Sequence, residues 1–159
     1  MVTMQLEGAD NLERTLASLE KTVAKKLARK GVRAAAGVTL PVCKAMAASV
    51  VGGRMGSLLA AALEVRAAKK QRPGSYMMRV QHSAKHNETF VDVAADGTRN
   101  YIPNAIEYGH AGPGGGGGAK TVQPMPYMRP GLESTKLSAA NRMIAVLWDG
   151  IKGEFNRAG

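Results

Sequence analysis

Five consecutive glycines, Gly114 to Gly118, sit inside the run HAGPGGGGGAKT at 110–121, and no packed element can pass through them. Glycine brings no side chain to bury and loses the most backbone entropy on ordering. The run therefore divides the chain into a long mixed portion and a C-terminal portion. It is expected to form a flexible contact loop at the surface, made of Gly114, Gly115, Gly116, Gly117 and Gly118. A phosphate cradle would need lysine and then serine or threonine directly after the last spaced glycine. Here Lys120 and Thr121 follow Ala119, so that register is missing and nucleotide binding is not indicated.

Beyond the loop, QPMPYMRPG holds three prolines, which favour an extended approach to a following helix. Leu137, Ala140, Ile144, Leu147, Ile151 and Phe155 then recur at helical spacing, with Trp148 beside the stripe, predicting a long C-terminal helix over 132–156 that buries this face. At the other end, Asp10 and Glu13 form a capping-box-like pair. Leu12, Leu16, Leu19, Val23 and Leu27 follow at steps of three and four, predicting an amphipathic helix. Gly31 is placed to cap it. The alanine-rich run after Gly31 fits either continuation or a second helix, with Pro41 in a first turn. GGRMGS at 52–57 reads as a loop or hinge.

The middle of the chain changes to a period of two. Leu63 to Arg66, Tyr76 to His82, Phe90 to Ala94, and Tyr101 with Ile102 read as short strands, with a turn at RPGS and a hairpin at Asp96-Gly97. They predict one small antiparallel sheet of three or four strands. The resulting fold class is α+β: N-terminal amphipathic helices, a small antiparallel sheet and a long C-terminal helix. At 159 residues this is one domain, divided into a helical part at 10–50, a sheet part at 60–109, the glycine-rich loop at 110–121 and the last helix. Only two phenylalanines, one tryptophan and four tyrosines supply aromatic bulk, so the core should be thin and packing between subunits a natural supplement.

The net charge of +10 is concentrated. Before Lys21, Glu7, Asp10, Glu13 and Glu20 outnumber Arg14; from Lys21 to Arg72 there are twelve basic residues against Glu64. Lys21, Lys25, Lys26, Arg29, Lys30 and Arg33 form a candidate basic partner face, suited to nucleic acid or an acidic protein, or simply to solvation. Zinc-finger spacing, a GxxG clamp and interleaved aromatics are all missing, so any DNA contact would be electrostatic and without sequence readout. The lone Cys43 excludes an intrachain disulfide and reads as a small buried residue. His82 and His86 are four apart in a strand-and-turn context, where that spacing does not converge two imidazoles, and they read as surface histidines. No nucleophile elbow or other catalytic motif is present, and no catalytic, metal or cofactor residues are assigned. The N-terminus lacks the flanks of a secretory signal, and the low-charge stretch from Thr39 to Leu63, broken by Pro41, Lys44, Gly52, Gly53 and Arg54, is a poor membrane span. Synthesis in a cytoplasm and no membrane association are expected.

The string YIPNAIEYGH, the glycine-rich insert and then QPMPYMRPGLE at 101–133 resemble the tail-component family of long-tailed phages, whose members are labelled minor tail, neck or tail-completion proteins. Glu107 and Gly109 match the family's glutamate and glycine at a strand end. Pro126, Tyr127, Arg129, Pro130 and Leu132 match its proline-aromatic-arginine-proline entry to a last helix. The family's threonine-glycine-x-leucine junction is represented only by Met55, Gly56, Ser57 and Leu58, without the threonine, the basic residue or the preceding proline.

The resemblance implies a non-enzymatic structural virion protein of the head–tail junction, a ring around the DNA passage, hexameric or derived from twelve-fold symmetry. Implied partners are other copies of itself and connector, terminator or tail-tube proteins, with DNA in the lumen. It would reside in the host cytoplasm during assembly and in the neck or tail of the virion afterwards. From the residues themselves, Glu107, Gly109, Pro126, Tyr127, Arg129 and Pro130 are a candidate structural clamp, with Glu107 accepting backbone amides or pairing with Arg129. The alternative functional class is a small sequence-independent DNA-binding protein.

Overall fold

The computed structural model describes residues 21–69, 71–72, 75–93, 97–111 and 121–158. The expected helix start at Asp10 and the contact loop at Gly114 to Gly118 lie outside the described residues. The fold is α+β, with a long N-terminal helix and a long C-terminal helix embracing small antiparallel ribbons.

Helix α1 spans Lys21–Met46 and continues through a π-helical turn at Ala47–Val51. The alanine-rich run after Gly31 thus continues the helix, and Gly31 is not a cap. It is buried mid-helix, where an added Cβ would stand 3.0 Å from Leu147 Cγ, so glycine is there for close approach to the last helix. Pro41 lies inside α1 and not at its start. It removes the amide that would bond the Gly37 carbonyl, and both residues are exposed, so water can serve that carbonyl.

Only Gly52 breaks the rod, with φ +69°. The expected loop at 52–57 shrinks to this one residue, because helix α2 begins at once, Gly53–Ala62. Gly56 lets α2 fold tightly back: a Cβ there would come within 2.6 Å of the Ala47 carbonyl oxygen.

The expected single sheet is instead three separate two-stranded ribbons. Strands β1 (Leu63–Ala67) and β2 (Met78–His82) pair antiparallel with Val65 opposite Val80. Gln71 closes the ribbon's connection, its Nε2 donating to the Ala68 carbonyl while its Oε1 accepts from the Met77 amide. Strands β3 (Val91–Val93) and β4 (Arg99–Tyr101) form the second hairpin, with Gly97 at φ +82° in its turn region. Phe90 ends a 3-10 turn just before β3, fully buried, and so departs from its expected strand position. Ile102 begins helix α3, Ile102–Tyr108, because Pro103 suits a first helical turn and cannot extend a ladder. The third ribbon pairs β5 (His110–Ala111) with β6 (Thr121–Val122) across the base of the glycine run.

Helix α4, Met128–Ala158, runs antiparallel along α1: Gly131 meets Cys43, Thr39 Oγ1 lies 3.0 Å from Thr135 Oγ1, Gly31 meets Leu147 and Gly150 meets Leu27. The helix starts four residues earlier than the apolar stripe suggests. Its buried face holds Thr135, Ala139, Val146, Leu147 and Ile151, whereas Leu137 and Phe155 are exposed. The expected stripe is thus corrected at two positions. Glycine at three contact points brings the two helix axes close, and that rotates α4 away from the face that hydrophobicity alone selects.

One core cluster gathers Cys43, Ala47, Leu59, Ala62, Leu63, Phe90 and Tyr127; a smaller one holds Leu27, Leu147 and Ile151 between the long helices. Two small residues and a cysteine in the first confirm a core short of bulk. Gly131→Ala should cost about 1–3 kcal/mol, since its Cβ would meet Cys43 Sγ at 2.7 Å and the Cys43 backbone at 3.2 Å. Chemical denaturation of the variant checks this.

Candidate functional site

A helix start leaves four backbone amides without intrahelical partners. At α4 these belong to Tyr127, Met128, Arg129 and residue 130. Glu107 supplies three of the acceptors: Oε2 accepts from the Tyr127 amide at 2.9 Å and the Met128 amide at 3.0 Å, and Oε1 accepts from the Arg129 amide at 3.0 Å. The fourth position is Pro130, which has no amide to satisfy. A buried carboxylate from α3 thus completes the start of a helix twenty residues further on, at the positive end of its dipole.

Glu107 therefore sits on a helix and not at a strand end, and its partners are amides. The Arg129 guanidinium instead lies over the Tyr108 ring, 5.9 Å from its centroid. Gly109, at φ +73°, turns the chain out of α3, and the Met125 amide donates to the Ile106 carbonyl at 2.8 Å, laying the proline-rich approach along α3. Half-buried Pro126 sits within that approach. The six clamp residues are consequently brought together, though the roles of Glu107 and Arg129 differ from a salt bridge.

Tyr127 is the pivot of this unit. Its ring is fully buried and its hydroxyl lies 2.9 Å from His82 Nε2. The His82 ring meets Phe90, Tyr101 and Tyr127 edge-on, at centroid separations of 5.5, 6.4 and 6.0 Å. Desolvation by burial lowers the His82 pKa from 6.5, opposed by the Glu107 charge. Burial, and then the Glu107 charge, pushes the Tyr127 phenol far above its ordinary range. Both groups are accordingly neutral near pH 7, with the tyrosine hydroxyl donating to Nε2. His82 is no surface histidine; its partner strand positions, Val80 and Met78, share its side of β2, and period two carries that signal. His86 packs against Phe90.

Because the folded-state pKa of His82 is depressed, its contribution to stability is complete above the unfolded value and is lost as pH falls through about 6.5 toward the folded value. The melting temperature should drop on acidification from pH 7 to 5, and His82→Gln should flatten that drop. Thermal melts across this range check it.

Cys43 is buried, its thiol donating to the Met128 carbonyl at 3.7 Å, and desolvation raises its pKa, so it has none of the character of a thiolate nucleophile. Among the described residues no group of three potential metal ligands occurs.

Beside the clamp, α1, β2, α3 and α4 enclose a groove of about 890 Å³. Its floor is apolar, with Val32, Ala36, Val80 and Met143, and its rim carries Arg79, Arg129 and Lys136. Tyr108 and Leu132 stand beside it at 66% and 58% exposure, which is unusual for large side chains lining a concave surface. The basic partner face is separate: Lys21, Lys25, Lys26, Arg29, Lys30 and Arg33 are all exposed on the first half of α1, with Arg29 over the Tyr76 ring at 5.4 Å. Sequence reasoning missed the groove entirely, since it arises only where four elements meet.

No family model, curated protein or solved structure matches the chain.

Proposed function

We propose that this chain is a structural virion protein of the head–tail junction, acting as a subunit of a ring around the DNA passage and joining the head connector to the tail. The observation that carries the reading is the clamp. The two separated sequence elements behind the resemblance, the Glu107-Gly109 element and the Pro126-to-Pro130 element, form one hydrogen-bonded unit around the start of α4. That unit is rigid and its chemistry is positional: both carboxylate oxygens of Glu107 are occupied by amides. A thin core with an open apolar groove suits a subunit that finishes its packing against neighbours.

In this role the protein remains with purified particles in fixed stoichiometry, and its loss from them after fractionation would remove the reading. The double reversal Lys26→Glu with Lys30→Glu should leave the melting temperature near the parent's, both side chains being exposed, while lowering DNA retention or tail attachment in assembled particles.

The second reading, a sequence-independent DNA-binding protein, draws on the same six exposed cations. It requires binding to duplex DNA that weakens steeply with salt and ignores sequence. Failure to bind at low salt removes it.

A further inference from the structure

We infer that the groove between α1, β2, α3 and α4 is the docking site for the acidic N-terminal segment, residues 7–20, of a second copy of this chain. The inference rests on the ring reading and names the contact that would build it.

Three observations meet here. The helix that floors the groove contains a window of mean hydropathy 1.6, only 17% of which is buried, so α1 carries much more apolar surface than its own chain covers. The groove rim offers Arg79, Arg129 and Lys136, all exposed, and its lone carboxylate, Glu107, is consumed by three amides. The segment before Lys21 presents the complement: Leu12, Leu16 and Leu19 at steps of four and three, flanked by Glu7, Asp10, Glu13 and Glu20 against the single Arg14. An apolar stripe with acidic flanks laid into an apolar groove with basic flanks is the helix-in-groove mode of recognition. Exposed Tyr108, Arg129 and Leu132 are residue types suited to anchoring such a contact.

Chain length decides between the same copy and another. The α1 residue of the groove nearest the N-terminus is Val32, eleven residues beyond Lys21, or about 16 Å along the helix. Two residues separate Leu19 from Lys21 and span at most about 7 Å when fully extended. Leu19 therefore falls short of the groove of its own chain, and the three leucines can enter together only in a neighbour. Head-to-tail donation of this kind is heterologous and propagates into a closed ring.

The test uses the full-length protein, as an equal mixture of ¹⁴N- and ¹⁵N-labelled chains, treated with a zero-length carbodiimide and digested for mass spectrometry. Peptides joining Lys136 to Glu7, Asp10, Glu13 or Glu20 with mixed isotopes are expected. They should be lost in Leu132→Glu, whose exposed position keeps the fold intact by circular dichroism. Joined peptides of one isotope only, the absence of any such peptide at high protein concentration, or their persistence in Leu132→Glu would each overturn the inference. A protein that remains oligomeric by native mass measurement yet lacks these links would keep the ring reading and discard this contact. A protein carrying the links but absent from virions would do the reverse.

Discussion

Glu107→Ala is expected to lower the unfolding free energy by about 3–5 kcal/mol, because it strips acceptors from three amides at once in a place where the lost carboxylate is 7% exposed. Each buried amide left without a partner costs on the order of 1–3 kcal/mol, partly recovered where water enters the vacated space. Glu107→Gln separates charge from shape. Its single carbonyl oxygen can accept, but the NH₂ group turns a donor toward an amide that also donates, so a substantial fraction of the loss should remain. Denaturant titration gives the stability change, and hydrogen exchange at residues 127, 128 and 129 localises it. Normal protection of those three amides in Glu107→Ala would show that they have other acceptors.

Tyr127→Ala should cost a comparable amount, about 3–5 kcal/mol, for a different reason: it empties a fully buried volume between α1, α3 and β2. Tyr127→Phe keeps the ring and deletes only the hydroxyl facing His82 Nε2, so about 1 kcal/mol is expected. The pair of variants apportions packing and hydrogen bonding at one position. Equal losses in the two would mean that the polar contact, and not the ring, holds this corner of the core.

The elements that sequence made legible are those governed by local periodicity or turn chemistry. Long helices at both ends, the strand at Met78 to His82 and the hairpin after Val93 follow from spacing of apolar residues and from Gly97. The errors have a common origin in contacts between distant segments. Gly31 looks like a cap until Leu147 is laid against it, and Pro41 looks like a start until Gly37 and Pro41 are both seen on the exposed side. Leu137 and Phe155 satisfy the period of an apolar face but lie off the line on which Gly31, Gly131 and Gly150 admit α1. Short strands were visible, whereas their failure to join into one sheet was not, because ribbon pairing depends on where α3 interrupts them after Tyr101.

The candidate clamp was legible as a set of residues and misread in its bonding. Glutamate with arginine suggests an ion pair on paper; the prolines that stop Tyr127 to Arg129 from finding other partners are what turn Glu107 into a cap. The basic face could be named from charge clustering alone, since exposure is the ordinary state of lysine and arginine. The groove could not, being a property of four elements with no sequence signature of their own.

The antiparallel union of α1 with α4 has a consequence for how the chain is made. The Thr39–Thr135 contact joins residues 96 positions apart, and Gly31 and Leu27 wait for partners further on still. At ordinary elongation rates, α1 emerges from the ribosome roughly 5–20 s before the helix that covers it. During that interval its apolar side has only nascent ribbons, solvent or chaperones for company. A chain interrupted before residue 128 would lack both the amides that engage Glu107 and the surface that covers α1. Incomplete products should therefore collapse or be degraded before they can compete for a place among finished subunits, which makes translation to the end a checkpoint for assembly.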